Sequence, residues 1–249
     1  DIAAMYRYNI ILSNSDQNEA KELELLNTML GKQVDGIVMM SDHVTDKLAN
    51  AIRQSPVPIV LAGSIIQNHT IPTVNIDYFQ AAFDAIQLFI EKGHKEISFV
   101  SGPLEYTING EYKLEAYKKA LRQANIEVNE QFIDATDGTY DEAILSWENF
   151  TQKGHVPTAI FAGSDEIALG IIHAVQDSGK RVPEDVEVIS FENSKLARMV
   201  RPQLTSVALP LYDIGAVSMR LLTKLLNKEE VEDKNVILPY RIEMRNSTK

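Results

Sequence analysis

Short runs of consecutive apolar residues alternate with longer segments whose apolar positions recur every three or four residues, and this alternation runs the length of the chain. The short runs at 9–13, 34–40, 58–62, 73–76, 96–101, 132–135, 159–162, 186–191 and 204–208 read as strands. The periodic segments at 19–30, 45–54, 79–92, 109–124, 141–152, 165–178 and 210–227 read as amphipathic helices, with a short helical turn near 195–199. In the first helix, for example, Leu23, Leu26 and Leu30 fall on one side. Strands that are apolar throughout, such as 36–40 and 158–162, suit a parallel sheet covered on both faces. Strand and helix in regular succession imply an α/β protein of doubly wound parallel sheets, with ligands expected at the carboxyl ends of strands.

Two such series imply two lobes. The residues themselves put the boundary near 93–95, where a helix ends in Lys92-Gly93-His94 and a new strand begins. Residues 1–8 read as the tail of a helix, not the start of a domain.

The helix at 210–227 has two unlike faces. Ile214, Val217, Leu221 and Leu225 form an apolar stripe that suits a core. Tyr212, Ala216, Arg220 and Lys224 form a second stripe, aromatic at one end and cationic at the other. Asp213 lies in the first turn, where a negative charge complements the helix dipole. The cationic end suits an anionic partner; on chemistry alone, a solvated face is the better explanation.

Composition narrows the function. A length of 249 residues can bury a large core. The net charge of −11 argues against nucleic-acid binding by this stretch on its own, because phosphate contacts need clustered Lys and Arg. There is no cysteine, hence no disulfide or thiolate metal site, and no apolar run of membrane-spanning length. His43, His69, His94, His155 and His173 are scattered without ligand-like spacing, so no metal or cofactor is expected. The chain carries no GxSxG, Walker A or GxGxxG motif. Gly163-Ser164-Asp165 has the look of a nucleophile turn but no partner base; it reads as a strand end capping the next helix, and no catalytic residue is assigned. Asp77 could likewise end its strand in a turn. Arg198 and Arg201 flank Met199 and Val200 at a loop beside the closing strand.

Several segments carry a family resemblance. RPQLTSV at 201–207 followed by YDIG at 212–215, with LLGKQVDGIVMM, IPTVNIDY, GHKEISFVSGP, PTAIFAGSDEIALG and VPEDVEVISFEN, resembles the core of the LacI/GalR transcription regulators along the whole chain. Within that family the chain is most similar to the catabolite-control branch of low-GC Gram-positive bacteria. The resemblance implies a cytoplasmic homodimer, with operator DNA bound by a helix-turn-helix and hinge helix absent from these residues and no association with membranes. It also implies three crossings between lobes, giving 1–94 plus 210–238 and 95–209 plus 239–249, and makes Arg198 and Arg201 candidates for the dimer contact.

Two kinds of site follow from the resemblance. The family's effector cleft maps onto Asp77, Lys113, Ser164, Asp165 and Glu192. The common Arg is Lys113 here and the common Asp is Glu192; losing the bidentate fork and adding a methylene both weaken a sugar pocket. The catabolite-control branch instead takes a protein corepressor, HPr phosphorylated on a serine. Its contacts map onto Tyr212, Asp213, Arg220, Lys224 and Arg241, with Asp1 bordering the same surface. A sugar phosphate stands open as a second effector. The alternatives are a sugar-responsive LacI-type repressor and a periplasmic sugar-binding protein.

Overall fold

The computed structural model describes residues 2–16, 18–66 and 70–249. In chain order its first elements are α1 (Ile2–Met5), α2 (Glu19–Gly31), β1 (Ile37–Met39), α3 (Asp46–Arg53), β2 (Ile59–Ala62), β3 (Thr73–Ile76), α4 (Tyr78–Glu91) and β4 (Ile97–Ser101). A π-helical turn (Ile108–Leu114) leads into α5 (Glu115–Gln123), followed by β5 (Ile133–Ala135), α6 (Tyr140–Gln152), β6 (Ala159–Ala162) and α7 (Asp165–Asp177). Then come β7 (Glu187–Glu192), α8 (Lys195–Met199), β8 (Thr205–Ala208), α9 (Leu211–Leu226), β9 (Asn235–Leu238) and β10 (Arg241–Glu243). Many helix starts are set by one polar side chain: Asn18, Thr45, Asp77, Thr139, Ser164 and Ser194 each accept a backbone N–H of the first turn.

The chain forms two compact units, Asp1–Ile76 with Pro210–Pro239 and Asp77–Leu209 with Tyr240–Lys249. In the first, four parallel strands lie in the order β1-β2-β3-β9. Successive residues of β2 point to opposite faces. Ile59 and Leu61 join Leu26, Leu48 and Ile52 of α2 and α3, while Val60 and Ala62 join Ile214, Leu221 and Leu222 of α9. Both faces are covered, which is why the strand is apolar without alternation. Strand β9 was not foreseen; its four residues follow the acidic stretch 229–233 and pair in register with β3.

The second unit holds a six-stranded sheet, β10-β8-β7-β6-β4-β5, parallel except for β10, which runs antiparallel to β8. Helices α6 and α7 cover one face with Trp147, Phe150, Ile167 and Ile171. On the other, α4 and α5 close over an aromatic file in which Phe99 stacks on Phe161 and lies 5.5 Å from Tyr117, centroid to centroid. Gly170 lets α7 approach α6, since a Cβ there would lie 2.5 Å from the Tyr140 carbonyl oxygen.

Three sequence expectations are corrected. Residues 9–13 form no strand, and Ile10, Ile11 and Leu12 are 72%, 55% and 91% exposed. A strand needs a neighbour to take its backbone hydrogen bonds, and no described segment pairs with this one. The first lobe boundary lies at 76/77, not near 94: α4 buries Ala81, Ala82, Ala85, Ile86 and Phe89 and packs on α5, β6 and β8, so it belongs to the second unit. Lys92-Gly93-His94 ends a helix without ending a unit. The helix expected at 109–124 opens as a π turn, where Gly110 admits the Leu104 carbonyl at a distance no Cβ would tolerate.

Two outcomes follow. Gly170→Ala forces its methyl against the Tyr140 carbonyl and 2.9 Å from the Ala143 methyl, and is expected to cost about 1–3 kcal/mol, read as a lower urea midpoint. Glu22 has its pKa raised above 4.5, first by burial and then by Asp42 and Glu19, against a lowering hydrogen bond from Ser41. Its effect therefore favours the fold below the unfolded pKa and is lost as pH rises through the folded one. Glu22→Gln is expected to stabilise the protein at pH 7, with the gain vanishing in melts below about pH 4.5.

Candidate functional site

Helix α9 buries Ile214 and Leu221, and Val217 and Leu225 pack against the same cluster. The opposite side carries Tyr212, 69% exposed, with Asp213, Arg220 and Lys224, all exposed. No side chain of these four enters a hydrogen bond or ion pair among the described residues. Arg220 and Lys224 stand one turn apart, two cations on an uncommitted surface. Ala216, expected on the same stripe, is buried; α1 packs against α9 with Ala3 buried. Asp1 lies outside the described residues. Arg241 belongs to the second unit, where it opens β10 and its exposed guanidinium pairs with Glu243.

Within the second unit, the ring of Phe191 meets Lys113 and the chain neighbour of Asp77. Tyr78, which follows Asp77, stacks on it at 6.2 Å, and Lys113 Nζ lies 4.4 Å from its centroid. Glu192 follows it in the chain. Lys113 is buried and donates to the Gly163 carbonyl at 2.9 Å and to Asn109 Oδ1 at 3.3 Å. Its ammonium is thus engaged inside the fold.

The remaining members divide by exposure. Ser164 caps α7 by accepting from Ile167 N, and Asp77 caps α4 by accepting from Gln80 N at 2.8 Å. Ser164 thus shows the cap expected of it, whereas Asp77 opens a helix directly instead of ending its strand in a turn. Asp165 is 0% exposed; it accepts from Ser190 and Ser206 hydroxyls and from Ser194 N, and so serves the fold and presents no surface to an effector. Glu192 is half-buried with φ +113°, and Asn193 follows at φ +59°. A non-glycine pair in this region costs energy and persists only where its surroundings hold it. Here Asn193 N donates to Ser206 Oγ, Arg245 donates to Asn193 Oδ1 at 2.6 Å, and the Glu192 carbonyl accepts from Leu209 N.

Sequence reasoning missed Phe191, Tyr78, Ser190 and Ser206. A signal existed for Ser190, which interrupts the apolar run 188–191; Ser206 is its register partner across β7 and β8, so both hydroxyls reach one carboxyl group. Among the described residues there is no cluster of three potential metal ligands and no helix long and apolar enough to cross a membrane.

Comparison with known proteins places this geometry in context. A family profile described as periplasmic binding protein-like domain matches residues 86–248. The chain is 57% identical over 249 residues to catabolite control protein A of Priestia megaterium, covering all of this chain and 75% of that protein. It is 46% identical to catabolite control protein A of Staphylococcus epidermidis, again over its whole length and 74% of the relative. The crystal structure of the transcription regulator CcpA of Lactococcus lactis superposes with a TM-score of 0.93 at 42% identity, covering 100% of this chain and 91% of that one. A complex of the transcriptional regulator CelR with cellobiose gives a TM-score of 0.90 at 28% identity, covering 99% and 75%.

Removing the Asp165 carboxyl group takes the acceptor from the Ser190 hydroxyl and the Ser194 N–H and leaves the Ser206 hydroxyl only the Val207 carbonyl at 3.4 Å. Asp165→Ala is expected to destabilise the second unit by roughly 3 kcal/mol or more, measured by urea unfolding followed through Trp147 fluorescence.

Proposed function

Since this chain belongs to the catabolite control protein A group of LacI-type transcription regulators, we propose that the exposed face of α9 is where a Ser-phosphorylated HPr docks as corepressor. The observation that carries this reading is the pair Arg220 and Lys224, one turn apart, exposed and unpaired among the described residues of a chain whose net charge is −11. A phosphoserine brings close to two negative charges and three acceptor oxygens. Arg220 answers it with charge-assisted bonds that can be bidentate, and Lys224 steers and screens. Tyr212 and Asp213 at the start of the helix position the partner's surface. Arg241 adds a second guanidinium, which exchanges Glu243 for the partner's phosphate or a neighbouring carboxylate. Asp1 keeps its place in this reading as a bordering residue.

Binding of this kind regulates only through a difference in affinity between two conformations, one of them favoured on DNA. The regulator acts as a homodimer, with Arg198 and Arg201 beside the exposed Met199 as candidate contacts, and reads operator DNA through a region outside these 249 residues.

A second reading concerns small molecules. The likeness to a cellobiose complex and the strained Glu192 support a polyhydroxylated effector, sugar or sugar phosphate, at Asp77, Ser164 and Glu192. Lys113 and Asp165, both committed internally, act there as supports.

Calorimetric titration with phosphorylated and unphosphorylated HPr tests the first reading, with binding expected for the phosphorylated form alone. Arg220→Ala is expected to weaken it about tenfold or more, corresponding to the ~1.5–3 kcal/mol of a charged hydrogen bond, with the melting temperature nearly unchanged. Equal affinity in that variant would remove α9 as the docking face.

A further inference from the structure

The chain crosses between its two units at 76/77, 209/210 and 239/240, and each crossing is hydrogen-bonded into the second unit within one residue of the crossing point. Asp77, first after one crossing, caps α4. Leu209, last before the next, donates its N–H to the Glu192 carbonyl. Tyr240, first after the third, donates its hydroxyl to Asp84 Oδ2 at 2.6 Å. Asp84 is itself held by Gln80 Nε2, which donates to its other oxygen at 2.7 Å. Two of the three crossings are therefore anchored on one helix, and α4 is fixed in turn by a buried face running from Ala81 to Phe89.

The third anchor has a consequence for the docking residues. Arg241 directly follows Tyr240. Its backbone pairs with Ala208 in the β10–β8 ladder, so the position from which its side chain leaves is defined by that ladder on one side and by the Tyr240 phenol on the other. The phenol is maintained as a donor: burial first, then the Asp84 hydrogen bond and charge, then the Asp77 charge, all raise its pKa well above that of a free tyrosine. We propose that Asp84 and Tyr240 are positioning residues for Arg241, fixing the guanidinium with which the second unit meets a phosphoserine-bearing partner. This rests on the docking reading given above. The anchor acts through geometry, by sparing the partner the cost of ordering the crossing segment.

The test is a double-mutant cycle in the full-length regulator, with Ser-phosphorylated HPr affinity as readout. Tyr240→Phe, which keeps the ring and deletes one hydrogen bond, is expected to weaken binding about three- to tenfold. On an Arg241→Ala background the same change is expected to have an effect of less than about twofold, whereas with Arg220→Ala the two losses multiply. Asp84→Ala removes the bond from its other end and is expected to give the same pattern. A Tyr240→Phe penalty that persists without Arg241, or no penalty in either variant, overturns the assignment. If Arg220→Ala weakens binding and Arg241→Ala does not, the docking face stands and this inference falls. If neither weakens it, the docking reading itself has failed.

Discussion

Asp165 stands at the first turn of α7 with no exposed surface, and a buried carboxyl group of this kind is tolerated only when its oxygens are occupied. The second unit is arranged to occupy them. Ser190 and Ser206, register partners on β7 and β8, turn their hydroxyls to it, and Ser194 brings its N–H from the loop after β7. One side chain thereby joins two strands, a helix start and the loop that holds Glu192 and Asn193 in left-handed conformations. With that loop in place, Phe191 is fixed as the ring on which Tyr78 stacks and over which Lys113 lies. The residues mapped by resemblance to an effector divide between those held inside the unit, Lys113 and Asp165, and those nearer its surface, Asp77 and Glu192.

The first unit follows a different constraint. Its sheet must be covered on both faces, and α9 supplies one cover with the stripe running from Ile214 to Leu225. Covering a sheet requires one side of a helix; the other side is left to carry chemistry at little structural cost. Arg220 and Lys224 occupy that side, without a side-chain partner among the described residues, which is the condition for a charge to be spent on a partner. Arg241 is the contrast, paired with Glu243 and tied to the sheet of the second unit.

Much of this was legible beforehand for identifiable reasons. The apolar runs of β2, β6 and β7 and the caps Thr45, Ser164 and Ser194 are local, and local rules suffice for them. The wording of 201–215 was enough to indicate the family, and the two faces of α9 are a matter of spacing. Residues 9–13 misled because apolar content makes a segment capable of being a strand, while pairing depends on what lies beside it. The 94/95 boundary misled because a helix end is a local event, while membership of a unit depends on which sheet receives the buried face of α4.

What the sequence by itself determined is therefore most of the succession of strands and helices, the family, and the cationic side of α9, all of which follow from periodicity, capping and motif. The tertiary structure alone decided that Asp165 and Lys113 are internal, that α4 belongs to the second unit, and that Tyr240 reaches Asp84 across 156 residues of chain. Burial and hydrogen-bond partnership are properties of neighbours in space, and neighbours distant in sequence leave no periodic trace in it.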